Sequence, residues 1–324
     1  SLRIAGAWRV PILASPCPPV QHPLFVSDPK LHLPDPVAAA RWARLAAAPS
    51  PWLHEEVARR MAARLQWIRK RPARWAHWGA LRGGLEGHAA VQATYPEAHC
   101  HVVETHVVVQ NRVQQALAVP WWRPGRWRGA QPRFDPPGAA AVDMVWANMQ
   151  LHAEADPQAR VRQWHSVLAE DGFLLFSTLG PDSLRELRAL YRRANWPPPA
   201  QDFADMHDVG DLLVQAGFSD PVMDTERIVL SFPDPARLLR ELRELGRNLH
   251  PQRFSGLRGR AWRQVLDTAL ATQASHGPDG ALSLTFEVVY GHAVKGGVRA
   301  AVQPETAIDL TDMRSMLRRE RGKT

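Results

Sequence analysis

The feature that most constrains this chain is a glycine-bearing turn between a short apolar run and a helical one. Arg74 to Trp78 reads as a buried strand; Gly79, Gly83 and Gly84 follow, and a helical pattern runs from about Gly87 to Thr94. A second strand, His101 to Glu104, then ends on an acid. Glycines at such a turn let backbone approach a ligand at a helix N-terminus, and an acid after the next strand can accept hydrogen bonds from ribose hydroxyls. The spacing is that of a nucleotide-binding βαβ unit.

The rest of the chain continues the alternation. Helices are expected over Val37–Ala48 and over Leu53–Arg69, where Val57, Met61, Leu65 and Ile68 share one face. Buried strands are expected at Ala141–Ala147 and Gly172–Ser177, with longer ones at Val222–Phe232 and Leu282–Val294. Between them lie helices Asp156–Leu168, Asp182–Ala194, Met206–Ala216, Asp234–Leu249 and Leu257–Thr272. Val107–Val119 reads equally as strand or helix. Alternating strands and helices predict an α/β fold with a doubly wound, mostly parallel sheet. Three segments follow: a proline-rich, partly disordered arm over residues 1–50, a main domain over 51–295 with a helical lid insertion at about 234–272, and a basic tail over 296–324.

Composition bounds the function. The net charge is +8 and lysine occurs only four times, so arginine supplies the excess. Such a surface suits acidic partners, although arginine richness also follows from a GC-rich coding sequence. No apolar run approaches the roughly 18 residues that a membrane span needs, and the first fifteen residues lack the pattern of a secretory signal. Two cysteines, Cys17 and Cys100, are too few for a disulfide framework or a metal knuckle, which points to a reducing cytoplasm. No metal site is expected, because His54-Glu55-Glu56 lacks the second histidine of a zinc helix. Trp121, Trp122 and Trp127 beside Arg123, Arg126 and Arg128 could stack on single-stranded nucleic acid, but packing of a long loop is the favoured reading.

Several segments in order carry a more specific likeness. They are Trp52 to Leu65, Val142 to Leu151, Leu174 to Arg188, Asp205 to Asp211, Ala216 to Asp224 and Thr285 to Ala293. Over about Trp52 to Lys295 the chain resembles class I S-adenosylmethionine-dependent methyltransferases, and among them the malonyl-acyl-carrier-protein O-methyltransferase branch of biotin synthesis. The resemblance implies a seven-stranded Rossmann-like sheet with its last strand antiparallel and a cleft at the strands' carboxyl ends. It implies S-adenosylmethionine as cofactor, held by Gly79, Gly83, Glu104, Asn148 and Met149, and an acyl carrier protein, acidic in character, as the partner that carries the substrate.

The chain also departs from the family pattern. His77 stands at the acid that ends the first strand, Leu81 at the second glycine, and Ala153 where a tryptophan is usual. A histidine removes an attraction for the donor's ammonium, and a branched side chain at 81 is expected to stand where backbone should approach the ligand. Two readings follow: a carboxyl O-methyltransferase, or a non-catalytic homologue that acts through protein partners. Methyl transfer to a carboxylate needs no general base, since the nucleophile is already ionised at neutral pH. It needs a clamp, which arginine provides through its planar fork. The lid motifs Leu245 to Leu249 and Gly256 to Arg260 make Arg247 and Arg258 the candidates, against the alternative that the lid arginines form a solvated, salt-bridged face. His207 and Asp208 are read as a helix start and His292 as a core histidine.

Overall fold

A computed structural model describes residues 33–45, 50–118, 131–273 and 280–296. The tryptophan-rich loop, most of the arm and nearly all of the tail lie outside these residues. Six strands form one sheet: β1 (Arg74–Trp78), β2 (His99–Val103), β3 (Val142–Ala147), β4 (Leu168–Leu179), β5 (Phe218–Phe232) and β6 (Leu282–Lys295). Their order is β2-β1-β3-β4-β6-β5. The first four pair in parallel, and β6 runs antiparallel between β4 and β5. The α/β class and the antiparallel last strand are as expected. The sheet has six strands among the described residues, where seven were expected.

The buried stretches of the central strands, such as Met144–Ala147 and Phe173–Phe176, are apolar because helices cover both faces. Along β1 the side chains alternate between the two cores: Trp75 joins the cluster with Leu53, Val57 and Met61, while Ala76 and Trp78 join that of Val161 and Trp164. The 107–117 ambiguity resolves as helix α5 (Val107–Leu117), whose buried Val109 and Val113 lie one turn apart. Its neighbours in sequence are α1 (Pro36–Arg44), α2 (Trp52–Ala63), α3 (Ala80–Gly83) and α4 (Leu85–Thr94). After β3 come α6 (Pro157–Val167), α7 (Arg185–Arg193), α8 (Met206–Gln215), α9 (Pro235–Leu245) and α10 (Arg260–Gln273).

Aspartates start four of these helices: Asp35, Asp156, Asp205 and Asp234 accept backbone N–H bonds at the N-termini of α1, α6, α8 and α9. The Asp205 cap accounts for the His207-Asp208 segment as a helix start. A less obvious cap comes from α2. Glu55 accepts the N–H of Leu85 at 2.9 Å and of Glu86 at 3.1 Å, and so closes the N-terminus of α4. The helices come close enough for this because Gly87 has no side chain; a Cβ there would stand 2.6 Å from that of Ala58.

Strand order reverses at β1, which has β2 on one side and β3 on the other. A doubly wound sheet opens a crevice at such a switch point, outside the strands' carboxyl ends. Gly79 and Asn148 immediately follow β1 and β3 at this switch point.

Candidate active site

The glycine turn is tighter than its sequence suggests. Gly79 takes a left-handed conformation (φ 66°), open to glycine without strain. The chain then curls into the single turn α3, with the Gly83 N–H donating to the Gly79 carbonyl at 2.8 Å. This turn corrects the expectation for Leu81. Its side chain is buried in the core with Leu53 and Val57 instead of standing in the cleft, and only its N–H points toward the ligand side. That N–H donates to Glu104 Oε1 at 2.9 Å. Burial pushes the Glu104 carboxyl up to about 7, a rise limited by the Leu81 and Ala80 N–H groups and the Arg82 guanidinium.

Asn148 is fully buried and binds protein on every side. Its Nδ2 donates to the carbonyls of His54 (2.8 Å) and Gly83, and its Oδ1 accepts from Ser177 Oγ at 2.6 Å. The side chain thus ties α2, the glycine turn and β4 together; any contact to a ligand would come through its backbone. Met149 follows with a positive φ of 53°, a conformation that costs a non-glycine residue of order 1 kcal/mol or more. Its N–H is held by the Ser177 carbonyl at 3.0 Å.

His77 is completely buried and turned away from the cleft. Its Nδ1 lies 3.1 Å from Nδ1 of His88, with the rings stacked. Burial lowers both histidines, His77 well below its ordinary value and His88 to about 4. The pair is therefore neutral at pH 7, with one ring donating to the other, and adds no positive charge near the turn.

Two hollows flank Met149 and Gln150. The first, about 190 Å³, is lined by Trp78, Gly79, Arg82, Glu104, Thr105 and Gln150, with α1 as its outer wall. That wall is anchored at both ends. Arg82 donates to the carbonyls of Trp42 and Leu45, and its guanidinium lies 3.9 Å from the centre of the Trp42 ring. Asp35 accepts from Arg253 at 2.7 Å. Ala153, at the position where a tryptophan was expected, packs with Ala155 against the cluster of Ala39, Trp42 and Leu249. The cleft's aromatic lining comes instead from Trp78 and from Trp42, the latter a contribution that the proline-rich arm did not signal.

The second hollow, about 250 Å³, has largely hydrocarbon walls: Leu53, Met149, Leu184 and Phe203 from the core, and Leu239, Leu242 and Leu245 from α9. Its polar lining includes His54, His152, Arg243 and Arg247. His54 Nδ1 donates to the Arg82 carbonyl at 2.7 Å, and burial lowers this ring to about 4 and His152 to about 3. Arg247 donates to the Gly246 carbonyl at 2.8 Å, and its guanidinium reaches the Trp42 ring at 5.4 Å, so it stands where the hollows approach each other. Arg258 lines neither hollow; it is stacked over Trp262 at 3.6 Å and Phe254 at 4.5 Å. Sequence reasoning missed Arg243, His54, His152 and Gln150. The helical spacing of Arg243 with Arg247 suited a solvated face equally well.

A crevice at the β1/β3 switch point, with a half-buried carboxylate after β2 and a left-handed glycine after β1, is the arrangement of a Rossmann-like nucleotide-binding fold. A Bacillus halodurans structure assigned as a methyltransferase shares the fold, with a TM-score of 0.50 and 13% identity, covering 73% of this chain and 99% of that one. No family model matches the chain. Two relatives named malonyl-[acyl-carrier protein] O-methyltransferase are closer in sequence. That of Laribacter hongkongensis is 38% identical over 267 residues, covering 79% of this chain and 86% of the relative. That of Gallionella capsiferriformans is 36% identical over 255 residues, covering 76% and 85%. The chain belongs to the malonyl-[acyl-carrier protein] O-methyltransferase family; it is an enzyme of the methyltransferase class and its cofactor is S-adenosylmethionine.

The cleft fits that cofactor's nucleoside end. Glu104, tied to the turn through the Leu81 N–H, offers a carboxylate of the kind that suits a ribose diol, and Trp78, Thr105 and Val109 line the same hollow. Among the described residues no helix is long and apolar enough to cross a membrane.

Proposed function

We propose that the chain transfers a methyl group from S-adenosylmethionine to the free carboxylate of a malonyl group on acyl carrier protein, the step named for its relatives. One observation carries this reading: an apolar hollow with arginines in its wall adjoins the cofactor cleft across Met149 and Gln150. The bound cofactor supplies an electrophilic methyl sulfonium. The protein's part is alignment and desolvation. Glu104 orients the ribose, and Met149, pinned to β4, forms the wall between donor and acceptor. Arg247 is the clamp for the acceptor carboxylate, with Arg243 beside it; a bidentate guanidinium engages both carboxylate oxygens, fixes the group's orientation and leaves each oxygen a lone pair with which to attack. The neutral His54 and His152 line the hollow without competing for the carboxylate as cations.

Arg258, Arg260 and the outward arginines of α9 give the lid a basic outer surface, suited to an acidic carrier protein working in the cytoplasm, because complementary charge speeds encounter. Mass spectrometry of malonyl-loaded carrier protein incubated with donor and enzyme tests the proposal. A single added methyl that base hydrolysis removes is the expected result. No transfer, while donor binding is measurable, contradicts it.

A further inference from the structure

The space over Gly79 is already filled. A Cβ on this glycine would stand 2.2 Å from Gln150 Oε1 and 2.3 Å from Cδ, so the amide lies directly on the turn. It lies there because two carbonyls converge on one point. Gln150 Nε2 donates to the Asn148 carbonyl at 3.0 Å and to the Gly79 carbonyl at 3.3 Å. One carbonyl follows β3 and the other follows β1, so the amide nitrogen bridges the crevice at its switch point. The same nitrogen is 3.6 Å from where a Cβ of Gly83 would be, so the hollow over both glycines is occupied by a single side chain.

Two converging carbonyls form a seat for a group with several N–H donors. The donor of the proposed reaction carries one, the ammonium of its amino-acid tail, which can donate to both acceptors at once. Within the turn nothing anionic replaces them: His77 is neutral, fully buried and paired with His88, and Glu104, in the same hollow, is engaged with the Leu81 N–H.

We propose that Gln150 is a built-in plug of the donor's ammonium seat, which the donor must displace in order to bind. This rests on the donor reading above. Its amide makes the hydrogen bonds that the ammonium would make, so the empty enzyme leaves neither carbonyl bare, and the donor gains only the difference between its own bonds and those of the amide. Gln150 therefore sets donor affinity, and it does so only for ligands that carry the amino-acid tail. A ligand that ends at the sulfur, such as 5′-methylthioadenosine, leaves the plug in place.

Titration calorimetry of the full chain and its Gln150→Ala variant, with S-adenosylhomocysteine and 5′-methylthioadenosine as probes, tests the assignment; melting curves confirm that both proteins are folded. Two neutral hydrogen bonds no longer have to be broken, so the variant is expected to bind S-adenosylhomocysteine about tenfold more tightly or better. Its affinity for 5′-methylthioadenosine is expected to change less than about twofold. Equal or weaker binding of S-adenosylhomocysteine by the variant, with the tail-less ligand still bound by both proteins, overturns the plug and leaves the donor reading standing. Equal tightening for both ligands also overturns it, since the side chain would then be only a steric wall. Binding of neither ligand by either protein overturns the donor reading and the plug with it.

Discussion

The two hollows either side of Met149 and Gln150 are built differently. On the donor side the polar groups are tied to one another: Asn148 to the glycine turn and Ser177, Glu104 to Leu81, Gln150 to Gly79, Arg82 to α1. On the acceptor side most of the wall is hydrocarbon, with Leu239, Leu242 and Leu245 contributed by α9, and the arginines stand exposed at its margin. A substitution in the first acts on fold and donor together, whereas one at the exposed arginines of the second reaches the acceptor alone.

The largest effect is expected at Asn148. Asn148→Ala strands the Ser177 hydroxyl and the Gly83 and His54 carbonyls in a buried site, and should cost about 2–4 kcal/mol of stability. Urea unfolding measures it. A loss below about 0.5 kcal/mol would mean that the cleft is not held together in this way.

Glu104 separates binding from folding. Glu104→Gln should weaken S-adenosylhomocysteine binding by about 10–100-fold, the worth of a hydrogen bond to a charged group. Its effect on the donor-free protein has the opposite sign. The folded carboxyl titrates near 7 against an ordinary 4.5, so the folded state holds its proton more tightly and ionisation costs stability above pH 7. The variant should therefore melt higher than wild type at pH 8, with the advantage fading as pH falls from 7 toward 4.5. A lower melting temperature at pH 8 would contradict the burial of this carboxylate.

The acceptor side should respond through the acceptor's KM. Arg247→Ala is expected to raise KM for the malonyl carrier about tenfold with donor affinity unchanged, while Arg258→Ala, outside both hollows, changes it less than about threefold. The reverse ranking would move the clamp to the outer face of the lid.

The smallest effect belongs to the histidine pair behind the turn. His77 and His88 are depressed by burial, His88 from 6.5 to about 4. The unfolded chain therefore takes up protons that the folded one refuses. The stability they contribute is complete above pH 6.5 and declines as pH falls toward 4. Replacing both with leucine should flatten that part of the stability–pH curve; an unchanged slope would show that the pair is not closed to water.

Much of the fold was legible because its signals are local. The apolar runs of β3 and β4, the aspartate caps and the glycine after β1 each follow from a few adjacent residues. The glycine turn was only half legible. Leu81 looked like an obstruction because its neighbours are the family's glycines, yet a turn of helix sends its side chain into the core and presents only its N–H. Asn148 was legible as a site residue, but its scaffold role depends on His54, Gly83 and Ser177, which are distant in sequence. Trp42 and Gln150 gave no signal at all, since each matters only through a contact that folding creates.

A crystal structure with S-adenosylhomocysteine bound tests the central claim most directly. The account predicts the ribose hydroxyls on Glu104 and the sulfur at the Met149 wall, facing the hollow lined by His54 and Arg247. Ligand bound elsewhere, or a cleft still closed by Gln150 and Trp42 under saturating ligand, would contradict it.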